Sequence, residues 1–398
     1  MVSNVFYCDA RGNRREDSLA LKMLRVFDEA GLKECIFPGD IVAIKTHLSE
    51  IYNTRYLRPI YLHLLVEKIK ECGGKPFVTD TLSLGLRPHY FAKRDFEAYH
   101  HVTRMAGFTA ETVGCPIIIA DAPGGKRSVP VSTGSEVMET ALVAPAIADA
   151  DALISLAHFK GHPIAGFGGA LKNLGVGGQS RGGHFYIHYY GGYQVDVTKC
   201  DGCGQCLAEC IADAIRIEQG IAVIDAAKCV TCNGCLEVCP QKAISAPFTD
   251  FTLAARRIAA GAAGVIKKLG AQKCGFINLA IDISPNCDCM PWADLPIVPD
   301  IGVLASRDPV ALDQATVDLI TAAPALPGSA ADELGLKAGE EKFLPIGEAY
   351  WREQYRNKDQ TQGMRPDWPQ QLAEAEALGI GSREYRLVAV EPSTASLH

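Results

Sequence analysis

The chain has 398 residues, more than one small domain needs, and its 48% hydrophobic and 21% charged content excludes extended disorder. A formal net charge of −7 and a pI near 5.8 argue against a nucleic-acid-binding surface. No apolar run approaches the roughly eighteen residues of a membrane span, and the first eight residues lack the basic and apolar regions of a secretory leader, so a cytoplasmic protein is expected.

Residues 38–46, Pro-Gly-Asp-Ile-Val-Ala-Ile-Lys-Thr, form a β-branched run after a turn signal, which predicts a buried strand. Lys45, Thr46 and His47 stand at its end, followed by Ser49, Glu50, Asn53 and Arg55. Residues 59–72 carry apolar positions at helical spacing and stop at Gly73-Gly74; a strand at 76–78 then ends in Thr79-Asp80-Thr81. The alternation continues with a helix over 95–106, a strand over 116–120 ending in Asp121, a helix before Asp149, and a strand over 152–156 that runs into His158-Phe159-Lys160-Gly161-His162. Such alternation predicts an α/β fold, a mostly parallel sheet with flanking helices. Ligands of such sheets bind beyond the carboxyl ends of the strands. Lys45, His47, Asp80, His158, Lys160 and His162 fall at that edge and are the candidate catalytic residues. Acid–base or anion-binding roles are preferred to a metal at His158 and His162, because no carboxylate or cysteine at helical spacing completes a ligand set.

The segment 166–178, Gly-Phe-Gly-Gly-Ala-Leu-Lys-Asn-Leu-Gly-Val-Gly-Gly, is not a phosphate-binding Walker loop, since Lys172 is followed by Asn173 and misplaced relative to the glycines. Gly168 and Gly169 are expected to open a short helix whose free N–H groups attract an anion, with Lys172 and Asn173 one turn in. The competing reading is that these glycines only permit close helix packing. His184 and His188 extend this concentration of function-capable side chains.

Eight of the fifteen cysteines then fall into two runs: Cys200, Cys203, Cys206 and Cys210, and, twenty-nine residues later, Cys229, Cys232, Cys235 and Cys239, closed by Pro240. This is the bacterial ferredoxin spacing written twice. Three thiolates of a tight loop reach three irons of a cubane, and in two-cluster proteins the last cysteine of each run ligates the other cluster. One [4Fe–4S] cluster is thus expected on Cys200, Cys203, Cys206 and Cys239, and a second on Cys229, Cys232, Cys235 and Cys210. Gly202, Gly204 and Gly234 fit tight turns around sulfur, and Ile215 and Ile244 sit at equivalent places of the repeat. Paired zinc sites are the alternative, but they do not use the three-plus-one spacing. Ile211 follows Cys210 where the pattern usually has proline, a change that bears on packing around one cluster rather than on its ligands. Cysteines spent in this way fit a reducing compartment.

Beyond the runs the alternation resumes with a helix over 251–269, strands at 276–281 and 301–305, a helix opened by Asp308-Pro309, and an edge strand within 384–390. The expected organisation is therefore an α/β domain of residues 1–192 and 247–398, with an α+β ferredoxin-like domain inserted at 193–246. Cys287 and Cys289 point the same way in an extended chain and are either a reactive or metal-binding pair or two thiols in a rigid loop.

Val42 to His47, Lys75 to Asp80, Ser155 to His162, Gly168 to Gly175 and Asp282 to Asp294, in this order and spacing, resemble the DUF362 family of iron–sulfur proteins. The resemblance spans nearly the whole chain. It implies two [4Fe–4S] clusters and an otherwise uncharacterised α/β domain, and no single established reaction. The function expected is an iron–sulfur oxidoreductase whose ferredoxin module relays electrons to or from a cationic Lys/His pocket binding a small anionic substrate. Its partner is a redox protein or a small-molecule reductant; no nicotinamide fingerprint is present. The alternatives are a non-catalytic carrier that docks a partner enzyme and has no deep pocket, and a non-redox enzyme with structural clusters.

Overall fold

The computed structural model describes residues 2–82, 96–123, 127–189, 192–210, 212–229, 231, 234–354 and 364–390. Its central feature is an eight-stranded sheet built from β1 (Ser3–Asp9), β2 (Ile41–Lys45), β3 (Lys75–Asp80), β4 (Ile117–Ile119), β5 (Ala152–His158), β6 (Cys274–Ala280), β7 (Gly302–Ser306) and β8 (Tyr385–Ala389). The spatial order is β8-β1-β7-β6-β5-β2-β3-β4. Only β7 runs against its neighbours; β4, β3, β2, β5 and β6 are parallel to one another, and β8 is parallel to β1.

Both faces of the sheet are covered, which is why its central strands read as continuous apolar runs rather than alternating ones. Along each strand successive side chains still go to opposite cores. Val42, Ile44, Val78, Ile154 and Ile277 face the layer of helices Leu19–Glu29 and Pro59–Glu71, with Val26, Phe27, Leu62 and Leu65. Ala43, Phe77, Leu153 and Phe276 face the layer of helices Phe251–Leu269 and Pro309–Ala322, with Ile258, Val265 and Leu312. Asp308 caps the latter helix, accepting from the Val310 and Ala311 N–H groups at 2.9 Å each.

The strand at 41–45, the two helices after it, the long helix Phe251–Leu269 and the edge strand β8 lie where the pattern places them, with ends shifted by a residue or two. β1 and helix Leu19–Glu29 carry no signal read above, and β1 is central to one half of the sheet. β6 pairs with β5 from Cys274↔Leu153 to Leu279↔His158, so chain from both sides of the cysteine runs builds one sheet.

The cysteine-rich segment forms short strand pairs of its own. Gln194–Val195 pairs with Ile244–Ser245, bringing its two ends together, and Ile215–Glu218 pairs with Ile221–Ile224. Short helices Gln205–Glu209 and Gly234–Val238 carry Cys206 and Cys235. Ile215 and Ile244 share one core with Cys206, Ala222 and Cys235. Among the described residues no helix is long and apolar enough to cross a membrane.

Candidate functional site

Parallel strands deliver their carboxyl ends to one edge, and there the chain forms a cavity. It is walled by Lys45 from β2, Asp80 from β3, His158 from β5, and His47, Lys160, His162, Gly168, Gly169, Lys172 and Asn173 from the segments that follow. All ten residues singled out from the sequence for the pocket therefore meet in one place. Their individual roles differ from the expectation.

The pocket is not a gathering of unpaired cations. Lys45 is fully buried, and its Nζ lies 3.0 Å from Asp80 Oδ1 and donates to Asn173 Oδ1 at 2.9 Å. Asn173 Nδ2 in turn donates to the Lys45 carbonyl and to Ser155 Oγ, each at 2.9 Å, which ties the short helix Ala170–Gly175 to β2 and β5. Lys160 Nζ sits 2.6 Å from Asp288 Oδ1. Burial pushes the Lys160 ammonium down, but Asp288, together with Cys287 and Cys289, outweighs burial and leaves it raised, not lowered as mutual repulsion of cations would require. Burial also pushes the Asp288 carboxyl up, and Lys160, His47 and His158 together reverse this and hold it well below the usual range.

His158 is fixed at both ring nitrogens: Nε2 lies 2.8 Å from the Ile281 carbonyl and Nδ1 3.3 Å from Asp288 Oδ2. It positions Asp288 rather than reaching for a ligand. His162 Nδ1 accepts from the Ile164 and Ala165 N–H groups at 3.2 and 3.0 Å. Burial, with Lys172 nearby, pushes this imidazole well down, so it is neutral and carries its proton on Nε2. His184, driven to about 4, and His188, driven well below its ordinary value, are neutral for the same first reason, burial.

The expected anion at the helix start is supplied by the chain itself. Asp313, 143 residues away, accepts from the N–H groups of Ala170 at 2.8 Å and Leu171 at 2.9 Å, so two of the free N–H groups of this N-terminus are already taken. Gly169 is glycine because a Cβ would overlap Asp313 and Phe159, and Gly175 because one would overlap Ile258 of the long helix. Close packing explains these glycines. Lys172 remains the pocket lysine that, among the described residues, has no carboxylate within ion-pair reach; its Nζ stands 3.7 Å from Cys287 Sγ.

Asp288, which lies behind the wall, was not singled out from the sequence, and neither were Tyr189 and Phe248, which line the cavity. The available signal for Asp288 was its place between Cys287 and Cys289. These two cysteines enter the cavity with His162, and donor atoms of the three lie within 4.8 Å of one another. The chain turns there, with the Met290 N–H donating to the Cys287 carbonyl at 3.0 Å and the Cys289 N–H meeting Cys287 Sγ at 3.4 Å. Burial pushes the Cys287 thiol up, but the Cys289 S–H, Lys172 and Lys160 outweigh it and bring it to about 6; Cys289 is raised by the same hydrogen bond and by burial. Of the pair, Cys287 is the more acidic thiol, although its S–H also reaches Asp288 Oδ1 at 3.6 Å.

In the cysteine-rich segment, Cys200, Cys203, Cys206 and Cys239 line a second, smaller cavity. Backbone N–H groups point at sulfur in a repeated way: Ala214 to Cys210 at 3.2 Å and Ala243 to Cys239 at 3.3 Å, each four residues on, with Ala222 to Cys200 and Thr231 to Cys229 at 3.4 Å. Gly202 and Gly204 have φ near +70°, the left-handed turn expected of them; at the place equivalent to Gly202 the second run uses Thr231 at φ 53°. Gly234 instead begins a helix. Cys210, Cys229 and Cys235 belong to the same assembly, and Cys232 lies outside the described residues.

An aromatic cluster runs from the wall of the first cavity to the cysteine-rich segment. Phe185 stands 4.9 Å from both Tyr189 and Tyr193, and Tyr189 is 4.9 Å from Phe248. The cluster includes Leu236, next to Cys235, while Tyr189 and Phe248 wall the pocket.

Residues 42–318 match the family described as a domain of unknown function, DUF362. No curated protein matches the chain. Among solved structures, the lactate racemase apoprotein from Thermoanaerobacterium thermosaccharolyticum aligns at 12% identity over 98% of this chain and 83% of that one, with a TM-score of 0.37. A Thermotoga maritima protein aligns at 11% identity over 69% of this chain and 52% of that one, with a TM-score of 0.30.

Proposed function

The chain belongs to the DUF362 family, and from that premise we propose that it is an iron–sulfur oxidoreductase acting on a small anionic substrate in the sheet-edge pocket. The observation that carries the reading is the cavity shared by Cys200, Cys203, Cys206 and Cys239, three cysteines of one run and the last of the other. That is the crossed ligand set a two-cluster ferredoxin module requires. Cys229, Cys232, Cys235 and Cys210 would hold the second cluster. Bound [4Fe–4S] clusters transfer single electrons at low potential.

The module is taken as an insert at 193–246 in an α/β domain of residues 1–192 and 247–398, since Gln194 and Ser245 are paired neighbours. The backbone N–H groups aimed at Cys200, Cys210, Cys229 and Cys239 stabilise thiolate charge there. Tyr189 and Phe248 close the pocket on the module side and exclude water. Within the pocket, Lys172 meets the anionic group of the substrate. His162 donates through its Nε2–H, neutral His184 and His188 accept or donate protons, and the Lys45–Asp80 and Lys160–Asp288 pairs hold the walls in place. A walled cavity of this kind favours an enzyme over a docking carrier. The electron partner is a redox protein or a small-molecule reductant, and the compartment is the cytoplasm.

The test is ligand binding to anaerobic holoprotein with inorganic phosphate and with a small dicarboxylate as probes. Binding is expected to weaken with added salt and in Lys172→Met, with iron content unchanged. Equal binding by Lys172→Met and the parent would overturn the anion site.

A further inference from the structure

We propose that Cys287 and Cys289 are a dithiol–disulfide couple that collects electrons delivered singly by the cysteine-rich module and passes them in pairs to a small anionic disulfide bound in the pocket. The proposal deepens the iron–sulfur reading and rests on it for its electron source.

Four features point this way. Both sulfurs face the cavity, within 4.8 Å of each other, on a turn that already folds Cys289 back toward Cys287. The disulfide bond needs about 2.05 Å between sulfurs, and the turn that brings the Cys289 N–H to Cys287 Sγ keeps the two side chains close together. Lys172 stands 3.7 Å from Cys287 Sγ, placed to stabilise a thiolate and to pair with an anionic group on a reacting molecule. The aromatic cluster of Tyr189 and Phe248 brings the module side of the protein to the wall of the same cavity.

A metal held by His162, Cys287 and Cys289 is the rival use of these residues. It asks His162 to donate a ring lone pair, yet Nδ1 is occupied by two backbone N–H groups and Nε2 therefore bears the proton. A ligating histidine shows the reverse arrangement, its far nitrogen donating to an acceptor. His162 Nε2–H is instead suited to donate to sulfur or substrate.

The chemistry balances. The Cys287 thiolate attacks one sulfur of the substrate disulfide, and the S–S bond breaks to give a mixed disulfide and one substrate thiolate. That thiolate takes the proton of Cys289, whose sulfur then attacks Cys287 Sγ and expels the second substrate thiolate. The products are one substrate thiol, one substrate thiolate and the Cys287–Cys289 disulfide. Two electrons, one through each cluster, and one proton from water restore the thiolate–thiol pair.

The experiment uses anaerobic holoprotein of measured iron and zinc content, with oxidised glutathione as the small anionic disulfide and a reduced viologen as the one-electron donor. After one turnover, the peptide containing Cys287 and Cys289 should lack two hydrogens by mass, with two glutathione thiols released per chain. Cys289→Ser should stop at a glutathione adduct on Cys287, and Cys287→Ser should give neither product, iron content being unchanged in both. A peptide that stays fully reduced, or zinc bound one per chain and lost in either variant, would overturn the couple. Regeneration by viologen should vanish in iron-free protein. If the disulfide forms but regeneration proceeds equally without iron, the couple stands and the electron-source reading fails.

Discussion

Lys160 and Asp288 meet at 2.6 Å with both side chains withdrawn from solvent, and the same carboxylate also receives His158 at 3.3 Å and lies 3.8 Å from His47. Asp288 thus binds together the chain that leaves β2, the end of β5 and the loop that follows β6. The cavity has its shape because one buried anion holds these three segments.

Removing that anion strands a buried lysine. Asp288→Asn is expected to lower stability by about 3–5 kcal/mol, and Lys160→Met by a similar amount, each leaving one uncompensated buried charge. The pair Lys160→Met with Asp288→Leu should cost clearly less than the sum, because both charges are then gone. Chemical denaturation of anaerobic protein measures all three; simple additivity would remove Asp288 from the role described.

The cavity shared by Cys239 and the first cysteine run predicts how ligand losses combine. Cys200→Ser and Cys239→Ser should each lose about four irons, and the double variant about four as well. Cys239→Ser combined with Cys229→Ser should lose about eight. Metal analysis separates these outcomes, and an uncrossed arrangement reverses them.

Burial first, and Lys172 second, drive the His184 imidazole down to about 4 from 6.5. A depressed folded-state value means that the unfolded chain binds the proton more readily, so this contribution is complete above about pH 6.5 and is lost as pH falls toward about 4. His184→Gln should therefore lose less stability over that window than the parent, by on the order of 3 kcal/mol. Denaturation midpoints at several pH values measure the difference, and parallel curves for the two proteins would count against it.

Much of this was legible in the chain because strand ends and cysteine spacing are local signals. Lys45, Asp80 and His158 each follow an apolar run, and parallel pairing brought them to one edge. What escaped was set by partners remote in sequence. Nothing near Gly169 announces that Asp313 will cap the helix it precedes, or that Asp288 will neutralise Lys160. The polar residues at the strand ends marked where the pocket lies, but a reading of charges one segment at a time made it more cationic than it is. β1 went unread because Ser3–Asp9 mixes polar and apolar residues, with only Val5 and Cys8 buried.

Iron, acid-labile sulfide and zinc determined together on anaerobically purified protein, with an EPR spectrum after reduction, test the central claim most directly. The account predicts about eight irons and eight sulfides per chain, no stoichiometric zinc, and the broadened, fast-relaxing signal of two interacting clusters. Zinc bound in stoichiometric amount without labile sulfide would contradict it.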